Sequence, residues 1–450
     1  MKKGVIAGWL SVLAVGIVEA READTSRIWT LQACMRYAVE HSPQAVRQQL
    51  ASANLRVSYR EAILQHLPSL GSEVGLSAGF GRNVDPATNT YTTVNTLSNS
   101  YGLSAGIAVF DGLQLLNNTR AAKIAKLRGE EQQQQVEDAI LQETMQAYYD
   151  FAYTLGAGEL AREQVEASRE NLRQGRQMMA LGLKGAADVA QLEATLASDE
   201  YNLTRAENDR RNGELNLKRV MNYPPEARLR IDTAGRYAVP QMETAAVDEI
   251  VGVAAVLLPE VRMSGMEVRL ARLDLSTAKA RLFPTVSASA SIGTSYYKNL
   301  NGEAAAFSDQ FRDNLSKSVA AHLSVPLFSG WSRQTQIVRT RNLLRSAEQT
   351  HLETQRRIAV EVEQAVLELN GAYSERQSAE KSVHARQLAY RVAQRKYQEG
   401  LLSALDLQTV SNQLLEARAA LLRAELTWQA KRKLVDYYKG IPLLADGQPD

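Results

Sequence analysis

The chain has 450 residues, enough for two or three ordinary domains, and carries 52 lysines and arginines against 50 aspartates and glutamates. This balance argues against a nucleic-acid-binding surface or an acidic tail, and a mean hydropathy of −0.29 excludes a membrane protein built from many spanning helices. The single cysteine, Cys34, excludes an intrachain disulfide and is expected to be a small buried group on a helix.

The first element is a predicted secretory signal peptide over residues 1–20. Lys2 and Lys3 form its cationic end, the apolar run over residues 5–18 is short for a spanning helix, and small residues precede the cleavage position. The alternative is a membrane anchor. We expect a mature chain that begins near Arg21 and lies outside the cytoplasm.

Proline positions divide the rest of the chain. Residues 87–223 and 327–441 contain no proline, and because proline breaks a helix interior at about 3 kcal/mol, both spans permit very long helices. The first half is predicted to hold short helices over 30–66, strands over 69–82 and 99–111, a long helix over 113–181 and a returning helix over 187–221. After a connecting segment over 222–245, the second half is predicted to hold helices over 246–282, strands over 284–297 and 317–329, a long helix over 331–399, a returning helix over 405–439 and a tail over 441–450.

The two halves of the chain repeat each other. Residues 178–207 align with residues 396–425 at an offset of 218, and near the start of each half the offset is 216. Apolar residues that recur every seven positions near the end of each long helix predict lengthwise packing, as in coiled coils. We therefore predict one structural unit used twice, over residues 21–221 and 246–440.

Four segments alternate apolar and small polar residues one by one, the pattern of strands with one wet face. Each has about the length at which a tilted strand crosses a bilayer, and in the third segment the predicted lipid-facing residues are Val286, Ala288, Ala290 and Ile292. The alternative is an ordinary four-stranded sheet, but the predicted helices are far too long to fold over one. Because open sheet edges cannot lie in lipid and four strands are too few for a barrel, spanning strands here would require an oligomer that pools them.

Short motifs occur in a fixed order along the mature chain. It starts with "WTLQACMRYAVEHSP", strand pairs lead into long helices through "FDGL" and "FSGW", and the hairpin turns read "GLKGAAD" and "GLLSALD". In this order, and with the duplication, the chain resembles the TolC family of outer-membrane efflux channel proteins.

The resemblance implies a mixed α and β membrane protein, in which a homotrimer forms a 12-stranded β-barrel with four strands per chain. This barrel would be continuous with a long α-helical periplasmic barrel and a small equatorial α/β belt. The implied role is a passive exit duct in the outer membrane, surrounded by its lipid, for drugs, toxic compounds, metals or polypeptides. Its implied partners are a periplasmic adaptor (membrane fusion) protein and an inner-membrane RND, ABC or MFS transporter, in a tripartite efflux or type I secretion system.

The resemblance also implies that the two Gly-x5-Asp turns lie at the periplasmic tip. Gly182, Gly185, Gly400 and Leu402 would form the tip turns and contact the adaptor, and Asp188, Asp406, Tyr397 and Thr409 would lie at the constriction. The two aspartates have two interpretations: caps of the returning helices, or a carboxylate ring that narrows the tunnel. Leu402 and Thr409 stand where family members can carry an arginine and a second acidic residue, so a looser or more apolar closure is an equal alternative.

The sequence carries no pattern that favours catalysis or metal binding. The five histidines are scattered without metal-ligand spacing, and no phosphate-binding loop or catalytic triad motif is recognisable, so we expect no enzyme activity, metal or cofactor. The alternative function is a secreted coiled-coil scaffold or binding protein without channel activity.

Overall fold

The computed structural model describes residues 28–85, 89–93, 95–232, 246–300, 302 and 305–444. The predicted signal peptide lies outside the described residues, as do most of the connecting segment and of the C-terminal tail. In the first half the elements are β1 (Ile28–Trp29), α1 (Leu31–Glu40), α2 (Pro43–Leu64), β2 (Ser69–Gly79), β3 (Arg82–Asp85), β4 (Thr90–Thr93), β5 (Thr96–Phe110), α3 (Gln114–Ala180) and α4 (Ala186–Met221). In the second half they are β6 (Arg230–Ile231), α5 (Val247–Leu257), α6 (Pro259–Ala280), β7 (Thr285–Asn299), α7 (Phe307–Asp313), β8 (Ser316–Ser324), α8 (Ser332–Gln398) and α9 (Ala404–Tyr438).

Two helices of 67 residues each, α3 and α8, run the length of the molecule. At ~1.5 Å per residue each extends about 100 Å. Next to the sheet, α2 packs on α3, α3 on α6 and α6 on α8. Toward the far end α3 pairs with its returning helix α4, α8 pairs with α9, and contacts between α3 and α9 join the two pairs.

Most of the buried apolar residues lie midway along the long helices. One cluster there includes Met35, Phe151, Leu217 and Met221, beside the parallel pair of β1 and β6. Cys34 belongs to the same cluster and is fully buried, so its predicted role as a small buried group is confirmed. A second cluster joins α5 and α6 to α8 and α9. These two apolar clusters midway along α3 and α8 therefore hold the long helices together.

The four strands predicted from alternation form one antiparallel sheet in the order β2–β5–β7–β8. The predicted fourth strand over 317–329 extends too far, since β8 ends at Ser324. Pro326 has no N–H to donate, and β7, the neighbour of β8, begins only at Thr285, which is paired with Ser324.

The segments between the paired strands contain short elements that were not predicted from the sequence. The first holds the short hairpin of β3 and β4, and the second holds helix α7. The side chain of Gln310 on α7 pairs with both the N–H and the carbonyl of Tyr297, at 2.9 Å each. The pairing of β8 with β7 ends at Gly293. Beyond Gly293, α7 therefore satisfies backbone groups of β7 on the side that β8 leaves unpaired.

Candidate functional site

The two hairpin turns at the far end have the same backbone geometry. Gly182 and Gly400 have φ values of 74° and 75°, which glycine adopts without steric cost. In each turn the N–H after the glycine donates back to the helix, from Leu183 to Met178 O at 2.9 Å and from Leu401 to Lys396 O at 2.8 Å. This is a Schellman arrangement, which satisfies the last carbonyls of α3 and α8 while the chain reverses.

The aspartate of each turn lies in the first turn of the returning helix. Asp188 Oδ2 accepts a hydrogen bond from Gly185 N–H at 3.2 Å. Ser403 caps α9 by accepting from Asp406 N–H at 3.1 Å, and its hydroxyl donates to Asp406 Oδ2 at 2.7 Å. Both carboxylates therefore make the contacts of helix caps, in the position where a helix favours negative charge.

The two carboxylates differ in exposure. Asp188 is half-buried, whereas Asp406 and Thr409 are exposed on the same side of α9, three residues apart. The Thr409 hydroxyl donates to Leu405 O at 2.9 Å, within its own helix. The exposed pair is thus the part of the predicted constriction that can face an open space.

Tyr397 lies inside the chain, with 0% of its surface exposed. It belongs to a tip cluster drawn from both hairpins: Leu172, Val189, Leu192, Ala393, Tyr397, Ala404 and Leu407. Its hydroxyl lies against Gly175 and has no hydrogen-bond partner within the described part of the chain. Burial, with the nearby Asp188 carboxylate, raises the pKa of Tyr397. The side chain therefore packs the two hairpins together and presents no open surface in this conformation.

Lys184 links the first turn to the second, a contact that the sequence analysis did not identify. Its Nζ donates to Leu402 O at 3.1 Å and lies 4.7 Å from the centre of the Tyr397 ring. In the sequence this contact is indicated only by a lysine within the turn motif "GLKGAAD", four residues before Asp188. A cationic side chain of the first hairpin thus lies beside position 402 of the second.

A polar layer lies behind the tip cluster and was also missed. The buried Asp199 carboxylate accepts hydrogen bonds from Ser168 and Gln164, and Ser411 donates to Gln164 Oε1 at 3.2 Å. These four residues join α3, α4 and α9, so the hairpins are fixed by polar as well as apolar contacts.

The strand register brings the four alternating patterns into phase. Leu103 lies opposite Ile292 and Ala105 opposite Ala290, so apolar residues meet across the sheet. The apolar face includes Leu70, Val74, Leu76, Leu103, Ala105, Ile107, Val286, Ala288, Ala290, Ile292, Val319, Ala321 and Leu323. The opposite face is mostly glycine and serine, with Glu73 and His322 among them, and has hydroxyl pairs between Ser77 and Ser98 at 2.6 Å and between Ser291 and Ser318 at 2.7 Å.

The apolar face and both sheet edges are uncovered in the single chain. Leu70, Val74 and Val319 are 72%, 73% and 87% exposed. β2 and β8 are the two edge strands, so each has one side on which this sheet pairs no strand. The apolar face also carries Ser72 and Lys317, and α7 covers its loop end at Tyr101 and Tyr296. The rest is apolar and exposed, which together with open edges is typical of a surface that contacts lipid and further strands.

In the described part of the chain, no helix combines the length and the hydropathy needed to cross a membrane. Among the same residues, no group of three or more histidine, cysteine, aspartate or glutamate side chains could hold a metal ion.

The chain is similar to proteins of known description along most of its length. A family model described as "Outer membrane efflux protein" matches residues 38–223 and 252–435. The outer membrane efflux protein BepC of Brucella suis biovar 1 (strain 1330) is 25% identical over 358 residues, which cover 78% of this chain and 72% of BepC. The fold matches the outer membrane protein VceC of Vibrio cholerae with a TM-score of 0.75 at 17% identity, covering 91% of this chain and 96% of VceC. It also matches the Campylobacter jejuni CmeC outer membrane channel with a TM-score of 0.77 at 14% identity, covering 93% and 87%.

Proposed function

The chain belongs to the outer membrane efflux protein family, and on this basis we propose that three copies form one passive exit duct. Members of this family are transport ducts and not enzymes, and the protein lies in the outer membrane and extends into the periplasm. The alternative of a secreted coiled-coil scaffold does not fit this family. In the proposed assembly twelve strands close a barrel in the membrane, and the long helices continue it as a periplasmic tunnel.

The single observation that carries the proposal is the in-phase sheet with two open edges. If the edge strand β8 of one copy pairs with β2 of the next, every strand of the sheet has a neighbour on both sides and no edge remains in lipid. The apolar face, with Val286, Ala288, Ala290 and Ile292, would then face lipid, and the glycine and serine face would line a wet lumen.

Helix packing supports the same closure. Within the chain, α2 packs on α3 and its repeat counterpart α6 packs on α8, while α3 also packs on α6. The repeat counterpart of this last contact would be α8 against α2, which the described part of the chain does not form to a similar extent. A neighbouring copy supplies that contact if the copies form a ring.

The tip is the proposed constriction and adaptor site. Three copies of Asp406, with Asp188 near it, would put carboxylates at the narrow end of the tunnel and favour cations over anions there. The turn glycines Gly182 and Gly400 each precede an exposed leucine, Leu183 at 70% and Leu401 at 72%. Paired apolar side chains at equivalent positions suit a protein partner, the periplasmic adaptor of an inner-membrane RND, ABC or MFS pump.

The test uses the full-length protein purified from outer membranes. Native mass spectrometry in detergent is expected to give a trimer, and planar bilayers are expected to give uniform conductance steps. Asp406→Ala is expected to raise the conductance or weaken the cation preference, whereas Asp209→Ala, which removes an exposed carboxylate of α4, is the matched control. A monomer, or bilayers that conduct no ions, would refute the duct. Unchanged conductance and selectivity of Asp406→Ala would remove this carboxylate from the constriction.

Adaptor binding is tested by replacing both tip leucines with serine. We expect the double variant Leu183→Ser/Leu401→Ser to remain trimeric but to lose co-purification with the adaptor protein of the same host. Identifying the pump in the retained complex would also identify the class of cargo.

A further inference from the structure

The junction between β5 and α3, residues 109–113, buries Gly112 against its own chain, while Val109, Phe110 and Leu113 are 63%, 41% and 57% exposed. Gly112 has a φ of 71°, and a Cβ atom at this position would collide with Ala280 O and lie 3.1 Å from Phe283 Cβ. A little further along α3, Asn117 Nδ2 donates to Ser276 Oγ at 3.0 Å. The first junction therefore lies directly against the end of α6 and the turn that follows it.

The second junction, residues 327–331, is the repeat counterpart of the first at the offset of 218. Gly330 has a similar φ of 60°, yet among the described residues beyond its chain neighbours no atom lies within 4 Å of its Cβ position. Leu327, Phe328 and Trp331 are 91%, 82% and 67% exposed. The same backbone turn thus occurs twice, once with its glycine buried against its own chain and once with its glycine exposed and its apolar side chains more exposed than their counterparts.

An open groove of about 830 Å³ lies between the end of α2 and the start of the sheet. Its helix side includes Val57, Arg60 and Leu64, and the turn before β2 adds Leu67 and Pro68. Leu64 and Leu67 are each 60% exposed, so the groove presents uncovered apolar side chains.

The groove is the repeat counterpart of the surface that holds the first junction. The offset of 216 places Leu64 on Ala280, Leu67 on Phe283 and Arg60 on Ser276. These are the positions of α6 and its turn that contact the first junction and α3. The chain therefore contains both the open groove and the second junction, whose repeat counterpart packs on the equivalent surface of α6. The groove and the second junction lie at opposite edges of the sheet.

We propose that the second junction of one copy docks in the α2 groove of the next copy, with Phe328 and Trp331 covering Leu64 and Leu67. This inference rests on the ring of copies in the proposed function and names the contact that fixes the register of neighbours. Because the segment and the groove lie on different surfaces, the contact is head-to-tail and closes only when every copy both gives and receives a junction. The junction and the leucines of the groove are apolar and exposed, so docking buries side chains that the single chain leaves in water, while Arg60, Glu61 and Gln65 form a polar margin of the groove.

The experiment is cysteine cross-linking of the full-length protein in native membranes. Cys34→Ala removes the buried native thiol, and Leu67→Cys with Phe328→Cys places one thiol in the groove and one in the junction. A short bismaleimide is expected to give covalent dimers and trimers on a denaturing gel. The matched control is Phe283→Cys with Phe110→Cys, the repeat counterparts, which is expected to react within one chain and give no oligomer bands.

Each outcome separates this contact from the duct itself. Covalent trimers from the first pair, and none from either cysteine alone, support the docking. A native trimer whose Leu67→Cys/Phe328→Cys pair does not cross-link refutes it and indicates that lipid or another segment fills the groove, while the duct stands. A protein that is monomeric by native mass spectrometry refutes both proposals.

Discussion

The tip cluster offers the sharpest test of how the two hairpins are held together. Tyr397 is fully buried between α3, α4, α8 and α9, and truncating a buried aromatic side chain costs about 3–5 kcal/mol. Tyr397→Ala should therefore raise the equilibrium constant for local opening of the tip at least about 100-fold, since about 1.4 kcal/mol corresponds to a factor of ten. Tyr397→Phe should be harmless or stabilising, because it removes a hydroxyl without a hydrogen-bond partner in the described chain.

The assay is hydrogen exchange measured by mass spectrometry on the intact protein. Peptides that cover the tip cluster should exchange much faster in Tyr397→Ala, while peptides from the middle of α3 keep the wild-type rate. The repeat provides the control: Met179 is the counterpart of Tyr397 and is 40% exposed, so Met179→Ala should change exchange little. The reasoning is refuted if Tyr397→Ala exchanges no faster than Met179→Ala, or if Tyr397→Phe exchanges as fast as Tyr397→Ala.

Three further predictions follow from other contacts. Lys184→Met keeps the apolar stem but loses the hydrogen bond to Leu402 O, so the rate of hydrogen exchange at both tip turns should rise. The control Lys123→Met, on α3, should leave that rate unchanged. Gly112→Ala should lower the midpoint of thermal unfolding more than Gly182→Ala. Both substitutions incur the cost of positive φ, about 1–2 kcal/mol, but only the new Cβ at position 112 also clashes with Ala280 O. Equal shifts of the two midpoints would contradict this. Burial raises the pKa of Asp138 above its ordinary 3.8, so the stability that this group contributes is present below that value and is lost as the pH rises through the raised pKa. The difference in unfolding midpoint between the wild type and Asp138→Asn should therefore fall as the pH rises from about 4, and a difference that stays constant or grows would contradict this.

The sheet was predictable because a two-residue period leaves a strand little freedom. Shifting Val286 by one position would turn every apolar side chain to the other face, so the alternation determines which face each residue occupies. Helix α7 was not predictable in the same way. Its role depends on Gln310 reaching Tyr297 beyond the end of β8, a contact between side chain and backbone that leaves no period in the sequence.

The tip was predictable in its backbone but not in its side-chain contacts. Gly182 and Gly400 are recognisable because a helix reversal favours a residue that accepts positive φ. Which hairpin surfaces meet depends on the rotation of each helix about its own axis after some 67 residues, and small deviations from 3.6 residues per turn accumulate over that length. For this reason neither the burial of Tyr397 nor the reach of Lys184 to Leu402 followed from the motif.

The duplication explains why one chain contains both satisfied and unsatisfied versions of the same surface. The junction of the first repeat packs on the second repeat within the chain, where Gly112 lies against the backbone carbonyl of the buried Ala280. Among the described residues the junction of the second repeat has no such contact at its glycine, and the counterpart of Ala280 is the larger, exposed Leu64. The proposed contact between copies must overcome the entropy lost on association, so a larger apolar side chain at position 64 suits it. The intrachain contact at Ala280 does not incur this cost, because the chain already holds the two repeats together. The differences between the two repeats at these positions are therefore what we expect if one interface is covalently tethered and the other assembles a ring.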